Sequence, residues 1–335
     1  MTTNQTRRPL KTWSLLGDVR RKPTTYEIVT AKFHYHFRRE PAPFELDPDV
    51  PLNRWYLAHR EGSPLMVDDW EGFRDPARLT YRDYVLQQDK HETYVDQLID
   101  QHEAAGSADA LSPEWVSTLR SLLVPLRFPL HVLQMTAIYV GQMAPSSFIT
   151  NCANFQAADE LRRIQRIAYW TKVLANAHGD DLADTATARD PWVEGSEWQA
   201  LRELLENLLI AYDWGEAFVA LNLAVKPAID EFVNGQLAEF SRQNGDEFLA
   251  NLLTALRGDS DRSRDWTSAL VTYATGRDPA MAGVIDSWAD TWRPRVVASL
   301  EPLAGFFESA PVPMARDDVM SAVQSAVDSA GQPRA

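Results

Sequence analysis

"DELRRIQRIAYW", residues 159–170, decides how this chain is read. It is a run of helix formers without Gly or Pro, so it predicts a helix. Glu160 and Arg163 share one face of that helix, because side chains three residues apart project side by side. Helix bundles that hold two metal ions use an acid followed three residues later by a histidine. An arginine in the second place cannot ligate, since a guanidinium stays protonated and offers no lone pair. The segment is therefore either a helix whose metal-binding pattern is broken, or an ordinary helix. The ordinary case is a surface i,i+3 pair worth about a few tenths of a kcal/mol.

The rest of the chain bears on that choice. Bundles with two metals take one Glu from each of two helices and a Glu-x-x-His from each of two others. The seven histidines are His34, His36, His59, His91, His102, His131 and His178. The residues three before them are Ala31, Phe33, Tyr56, Gln88, Ile99, Phe128 and Ala175, none of them an acid. No Asp or Glu occurs between Glu114 and Asp159, so the preceding helix has no carboxylate to offer. Hard and intermediate metals want oxygen and imidazole donors, so no bound metal centre is expected in this chain. The sequence has no Gly-rich phosphate loop and no Gly-x-Ser-x-Gly elbow. Cys152 is expected as a buried helix residue rather than a nucleophile. "FHYHF" (His34, His36) is expected to pack as aromatics, and Trp288 and Trp292 to belong to a core or an interface.

Bulk properties narrow the partners. The chain has 335 residues and a net charge of −14, which argues against nucleic acid and anionic membranes. Eleven Trp and thirteen Phe can fill a large core. One cysteine allows no intrachain disulfide and fits a cytoplasmic protein. The N-terminus lacks the apolar run of a secretory signal. The most apolar stretch, 128–150, carries His131, Gln134, Gln142 and two prolines, so it is expected as a bundle's central helix and not a membrane span.

Three regions are expected. Residues 1–75 are rich in Pro and aromatics and hold no helical period; "YEIVTAKFHYHF", 26–37, suggests a short strand or an extended arm. Aromatic content argues against disorder, so this arm is expected to lie on partner subunits or on its own bundle. Residues 76–310 form a helical domain: Ser112 is an N-cap with Pro113 just inside, Pro125 and Pro129 kink or split the helix that follows, Gly179 ends the helix containing Glu160, and "DDLADTATARDPWVEG" (180–195) is expected as a polar loop between helices. Residues 311–335 form a small-residue tail. Val319, Val323 and Val327 allow a weak helix there, and a frayed terminus is the alternative. The sum is an all-α chain of long helices.

Four stretches together resemble one family. They are "KTWSLLGDVRRKPTTYEIVTAKFHY" (11–35), "LQMTAIYVGQMAPSSFITNCANFQAADELRRIQRIAY" (133–169), "AYDWGEAFVALNLAVKPAID" (211–230) and "WRPRVVASLEPL" (292–303). The chain resembles the β (small) subunits of the hydroxylases of soluble bacterial multicomponent monooxygenases, nearest the toluene and alkene branch, over most of residues 10–305. The resemblance implies a ferritin-like, ribonucleotide-reductase-like bundle of long helices with an extended N-terminal arm. It implies a chain with no catalytic residue and no cofactor of its own, beside an α subunit that holds two iron ions, in an α2β2 core with γ subunits. A Rieske-type ferredoxin, a reductase and an effector protein would act on the complex. Glu160, Arg163, Glu216 and Asp261 would be the degenerate iron positions, with Arg163 replacing metal charge and pairing with Glu160 or Glu216. Trp13, Tyr26, Phe33, Tyr35 and Trp55 would meet other subunits. The alternative from the residues is a free-standing metal-free bundle that binds a small hydrophobic molecule.

Overall fold

The computed structural model describes residues 21–31 and 50–332. Trp13, Phe33, Tyr35, His34 and His36 lie outside the described residues. Among the described residues every regular element is helical. The long members are α3 (Tyr81–Ala104), α5 (Arg127–Met143), α6 (Ser147–His178), α13 (Arg257–Arg277) and α14 (Ala280–Glu308). Between them stand α4 (Pro113–Leu122), α7 (Thr185–Glu194), α8 (Ser196–Leu209) and α12 (Glu247–Ala255). One further helical run crosses the centre: α9 (Trp214–Ala220), α10 (Lys226–Asp230) and α11 (Ala238–Gln243), joined by π-helical turns at Leu221–Val225 and Glu231–Leu237. Such turns add a residue to the repeat and re-aim the side chains after them.

Local signals set several boundaries. Ser112 accepts a hydrogen bond from the Trp115 amide and starts α4 with Pro113 in its first turn. Pro125 sits in a 3₁₀ turn, Val124–Leu126, that separates α4 from α5. Gly179, at φ 136°, ends α6 where a side chain would be strained. The stretch Pro113–Met143 is long and apolar enough to cross a membrane, but 61% of its most apolar window is buried within the bundle.

Two apolar clusters fill the interior. One gathers Trp115, Trp198, Phe232, Phe240 and Trp292 around α4–α6, α8 and α14. The other gathers Phe73, Phe148, Trp214, Phe218 and Trp266 around α5, α6, α9 and α13. Cys152 and Trp292 lie inside them, as expected, and Trp288 is half-buried against both.

The N-terminal region differs from expectation. Residues 25–30 form a helix, α1 (Thr25–Thr30), not a strand, because Thr24 and Glu27 make a reciprocal capping box. Tyr26 is buried within its own chain, its ring 5.7 Å from Phe148. A second short helix, α2 (Pro51–Tyr56), follows. Residues 63–73 then run over the chain's own bundle: Leu65, Val67, Trp70 and Phe73 are buried there, and Trp70 stacks edge-on against Trp214 at 5.2 Å. This part of the arm covers its own core.

The C-terminal tail is also more ordered than expected. Helix α15 (Arg316–Asp328) buries Val319, Val323 and Val327 completely, against α14 and α10. The i, i+4, i+8 spacing is a seam that has a groove to fill.

A candidate site at the centre of the bundle

Glu160 and Arg163 are both buried, 1% and 3% exposed, so the surface-pair reading of α6 fails. Arg163 Nε lies 3.0 Å from Glu160 Oε2, and Arg163 Nη1 lies 2.7 Å from Asp230 Oδ1. Lys226, one turn before Asp230 on α10, completes a ring. Its Nζ is 2.6 Å from Glu160 Oε1 and 2.9 Å from Asp230 Oδ2. Two acids and two bases are thus buried together with no net charge. Burial opposes ionisation of Arg163, Lys226 and Asp230, and the contacts within the ring overcome it. Desolvation works against Arg163 and Lys226, but Glu160 and Asp230 hold both above their ordinary pKa. Desolvation also works to raise Asp230, yet Lys226 and Arg163 keep it below the usual carboxylate range.

A second layer joins α6 to α13 and α3. Asp159 accepts from Arg262, and Arg162 donates to Asp259 at 2.7 Å, so each helix gives one acid and one base crosswise to the other. Gln88 of α3 bridges the two acids, 3.0 Å from Asp159 and 2.9 Å from Asp259, and the Tyr84 hydroxyl donates to Asp159 at 2.8 Å. Burial, reinforced by Asp259, pushes Asp159 up to about 7 against the pull of Arg262. Arg162 also pairs with Glu92 of α3.

The structure corrects two expected positions. Glu216 does not reach Arg163; on the first turn of α9 it accepts from the Trp292 indole at 3.2 Å. The acid across the bundle from Arg163 is Asp230 instead. Asp261 is half-buried, and its neighbours Asp259 and Arg262 make the pairs with α6. A helix presents i, i+3 and i+4 to one side, so a two-residue slip removes Asp261 from that face.

Several central residues escaped sequence reasoning. Lys226 and Asp230 carried a signal, because Lys226 is the one charged residue between Phe218 and Ile229, in an otherwise apolar run. A charge in such a run is buried and therefore paired. Tyr84, Gln88 and Asp259 gave no comparable sign.

The donor set does not suit two iron ions. Glu160, Asp230, Asp159 and Asp259 are bonded to guanidinium or ammonium groups, and among the described residues no group of three or more His, Cys, Asp or Glu is placed to hold a metal. The His91 imidazole has Nδ1 3.8 Å from Asp259 Oδ1. The free thiol of Cys152 is buried, which pushes its pKa well up, and it donates to the Phe148 carbonyl at 3.2 Å. It is no activated nucleophile.

Trp55 remains a surface residue, 36% exposed, and its indole donates to the Tyr139 hydroxyl at 3.0 Å. Beside it stands Tyr212, with rings 4.8 Å apart.

Known proteins place this geometry. The profile of the methane/phenol/alkene hydroxylase family matches residues 55–278. The β subunit of the hydroxylase component of the toluene-4-monooxygenase system of Ectopseudomonas mendocina is 41% identical, over 87% of this chain and 88% of that one. A solved structure of toluene 4-monooxygenase, with toluene in its resting active site, superposes with a TM-score of 0.80 at 37% identity, covering 97% of this chain and 99% of that one. Phenol hydroxylase from Pseudomonas sp. OX1 shares the fold, with a TM-score of 0.78 at 20% identity over 100% of this chain and 99% of that one. The bundle is the ferritin-like fold of these hydroxylases, and the chain belongs to the methane/phenol/alkene hydroxylase family.

Proposed function

We propose that this chain is the non-catalytic β subunit of a multicomponent monooxygenase hydroxylase. Its partners are a catalytic α subunit with two iron ions and a γ subunit, in an α2β2γ2 assembly in the cytoplasm. The α site inserts one oxygen atom of O2 into a hydrocarbon, by alkene epoxidation or aromatic hydroxylation. NADH supplies the electrons through a reductase and a Rieske-type ferredoxin, under control of an effector protein. The observation that carries the non-catalytic part is the ring Glu160–Arg163–Asp230–Lys226, where basic side chains take up the carboxylates at the bundle's centre.

The surface supports the assembly. Residues 128–158 contain no Asp, Glu, Lys or Arg, in a chain with 24% charged residues. The exposed side of α5 runs through His131, Met135, Ile138 and Gln142, and that of α6 through Leu161 and Gln165. Met135, Ile138 and Leu161 are 37%, 42% and 42% exposed. The charge-free exposed side of α5, with exposed Leu161 on the α6 helix packed against it, fits the core of an obligate interface, from which charge is depleted. Leu161→Glu tests this: the subunit should lose its larger partner on a tagged column while keeping its helical circular dichroism. Full retention of the partner would refute this face as the contact.

A further inference from the structure

A half-open cavity of about 210 Å³ lies where the C-terminal end of α3 and the loop after it meet α6 and α12. None of its lining residues belongs to the charged ring or to α5. Its apolar wall is made by Ile99, Trp170, Val173 and Phe248. Trp170 and Phe248 pack ring to ring at 4.4 Å, and Phe248 meets His102 edge-on at 5.3 Å. Both Trp170 and Phe248 are buried, and the Trp170 indole is tied back to Asp246, so this wall is fixed in place. An apolar cavity of roughly 150 Å³ takes up benzene. The present one therefore has room for a body of that size with a small polar head.

The charge of the rim selects the guest. Glu103 and Asp109 line the cavity and are exposed, while no Lys or Arg lines it. Glu103 accepts from the Tyr169 hydroxyl, which occupies one of its several acceptor positions. Arg166, one turn before Tyr169, is itself bound to Glu92 and Asp96. His102 adds no positive charge: burial holds its imidazole below the ordinary value against the pull of Glu247, and its Nδ1 lies 3.0 Å from the Ser107 hydroxyl. An anion would meet two carboxylates here, and a neutral guest would use only the apolar wall. A cation with an apolar body uses both, because aromatic rings attract positive charge through their faces and the two acids complement it at the rim.

We propose that this cavity binds a small organic ammonium ion, with its apolar body against Trp170 and Phe248 and its charged head at Glu103 and Asp109. The inference rests on this chain's own cavity and not on the assembly described above. Two kinds of variant separate the halves of the site. Glu103→Gln with Asp109→Asn removes the rim charge at exposed positions and leaves the apolar wall intact. Ala177→Phe, at a half-buried position on the α6 wall, fills the space itself.

The test uses the full-length chain with any subunit that co-purifies, as wild type, E103Q/D109N and A177F. Titration calorimetry measures saturable binding of three molecules with the same ring: cyclohexylammonium, cyclohexanol and cyclohexanecarboxylate. Only binding that wild type has and A177F lacks is assigned to this cavity, which sets aside any site on another subunit. That component should be one cyclohexylammonium per chain, at least tenfold tighter than cyclohexanol, with no carboxylate bound. It should weaken as salt is raised and fall at least tenfold in E103Q/D109N, while the weaker cyclohexanol binding is unchanged. Equal cation binding by wild type and A177F overturns the proposal. So does cyclohexanol binding as tight as the cation's, or cation binding that E103Q/D109N leaves intact. If A177F loses its helical circular dichroism, the charge variant decides alone: a tenfold loss confined to the cation supports the site, and an unchanged affinity overturns it.

Discussion

Lys226→Met is the most informative single change, because it removes one charge from a neutral buried quartet and keeps most of the side-chain volume. The ring then holds two acids against Arg163 alone. Breaking a buried pair by removing one partner costs about 3–5 kcal/mol, chiefly from the charge left behind. That is a large part of the roughly 5–15 kcal/mol that holds a domain folded. The deficit depends on pH. In the wild type Lys226 and Arg163 hold Asp230 below its ordinary value, against burial. Its contribution is therefore present above the unfolded carboxylate pKa, about 3.9, and is lost as pH falls through the lowered folded value. Without Lys226 the burial effect on Asp230 gains, its pKa rises, and the neutral acid becomes the stable buried form. The gap between wild type and K226M should thus be widest near neutral pH and shrink toward pH 5. Urea unfolding of the purified assembly at both pH values measures it. Adding Asp230→Asn to K226M leaves Glu160 with Arg163, again neutral, and should recover at least half of the loss. A deficit under about 1 kcal/mol with no pH dependence would refute the view that these charges hold one another in place.

Asp246 caps α12 and accepts from the Trp115 and Trp170 indoles, both at 3.3 Å, with no cation on it, and burial pushes it up to about 6. A raised folded pKa gives stability that is full below the unfolded value and is lost as pH rises through the folded one, so stability should fall between about pH 4 and 6. Asp246→Asn should flatten that segment by roughly 2–3 kcal/mol in urea titrations, and an unchanged pH profile would count against it. Val323→Asp puts a charge into the fully buried seam of α15 and should release the tail, seen as new protease cleavage near residue 315; unchanged resistance would mean the seam holds nothing. Thr24→Ala removes half of the α1 capping box and should cost about 1 kcal/mol of local stability, read as faster amide exchange at Glu27 and Ile28, while equal rates would show the cap to be idle.

Local signals in the sequence were reliable where the physics is local. Ser112, Pro125 and Gly179 act on their own backbone, and each boundary falls where its chemistry places it. The burial of Arg163 was legible because an arginine standing in a metal-ligand pattern has a reason to be inside. Its second partner was not legible. Asp230 lies 67 residues away, and the π-helical turns around α10 change which side chains face inward. Counting by 3.6 residues cannot follow them. The start of the 26–37 stretch misled for a different reason: Tyr, Ile, Val and Thr favour strands, but the Thr24–Glu27 box settles the matter over one turn. The tail looked weak because small residues bury little area each. The groove against α14 and α10 that makes their seam worthwhile is a tertiary fact.

The most direct test of the account is a tagged purification of this chain from its native host, with iron counted in each polypeptide that comes down. The account predicts a larger subunit in equal amount that holds all the iron, with none in this chain. The chain arriving alone and carrying iron on its own bundle would contradict it.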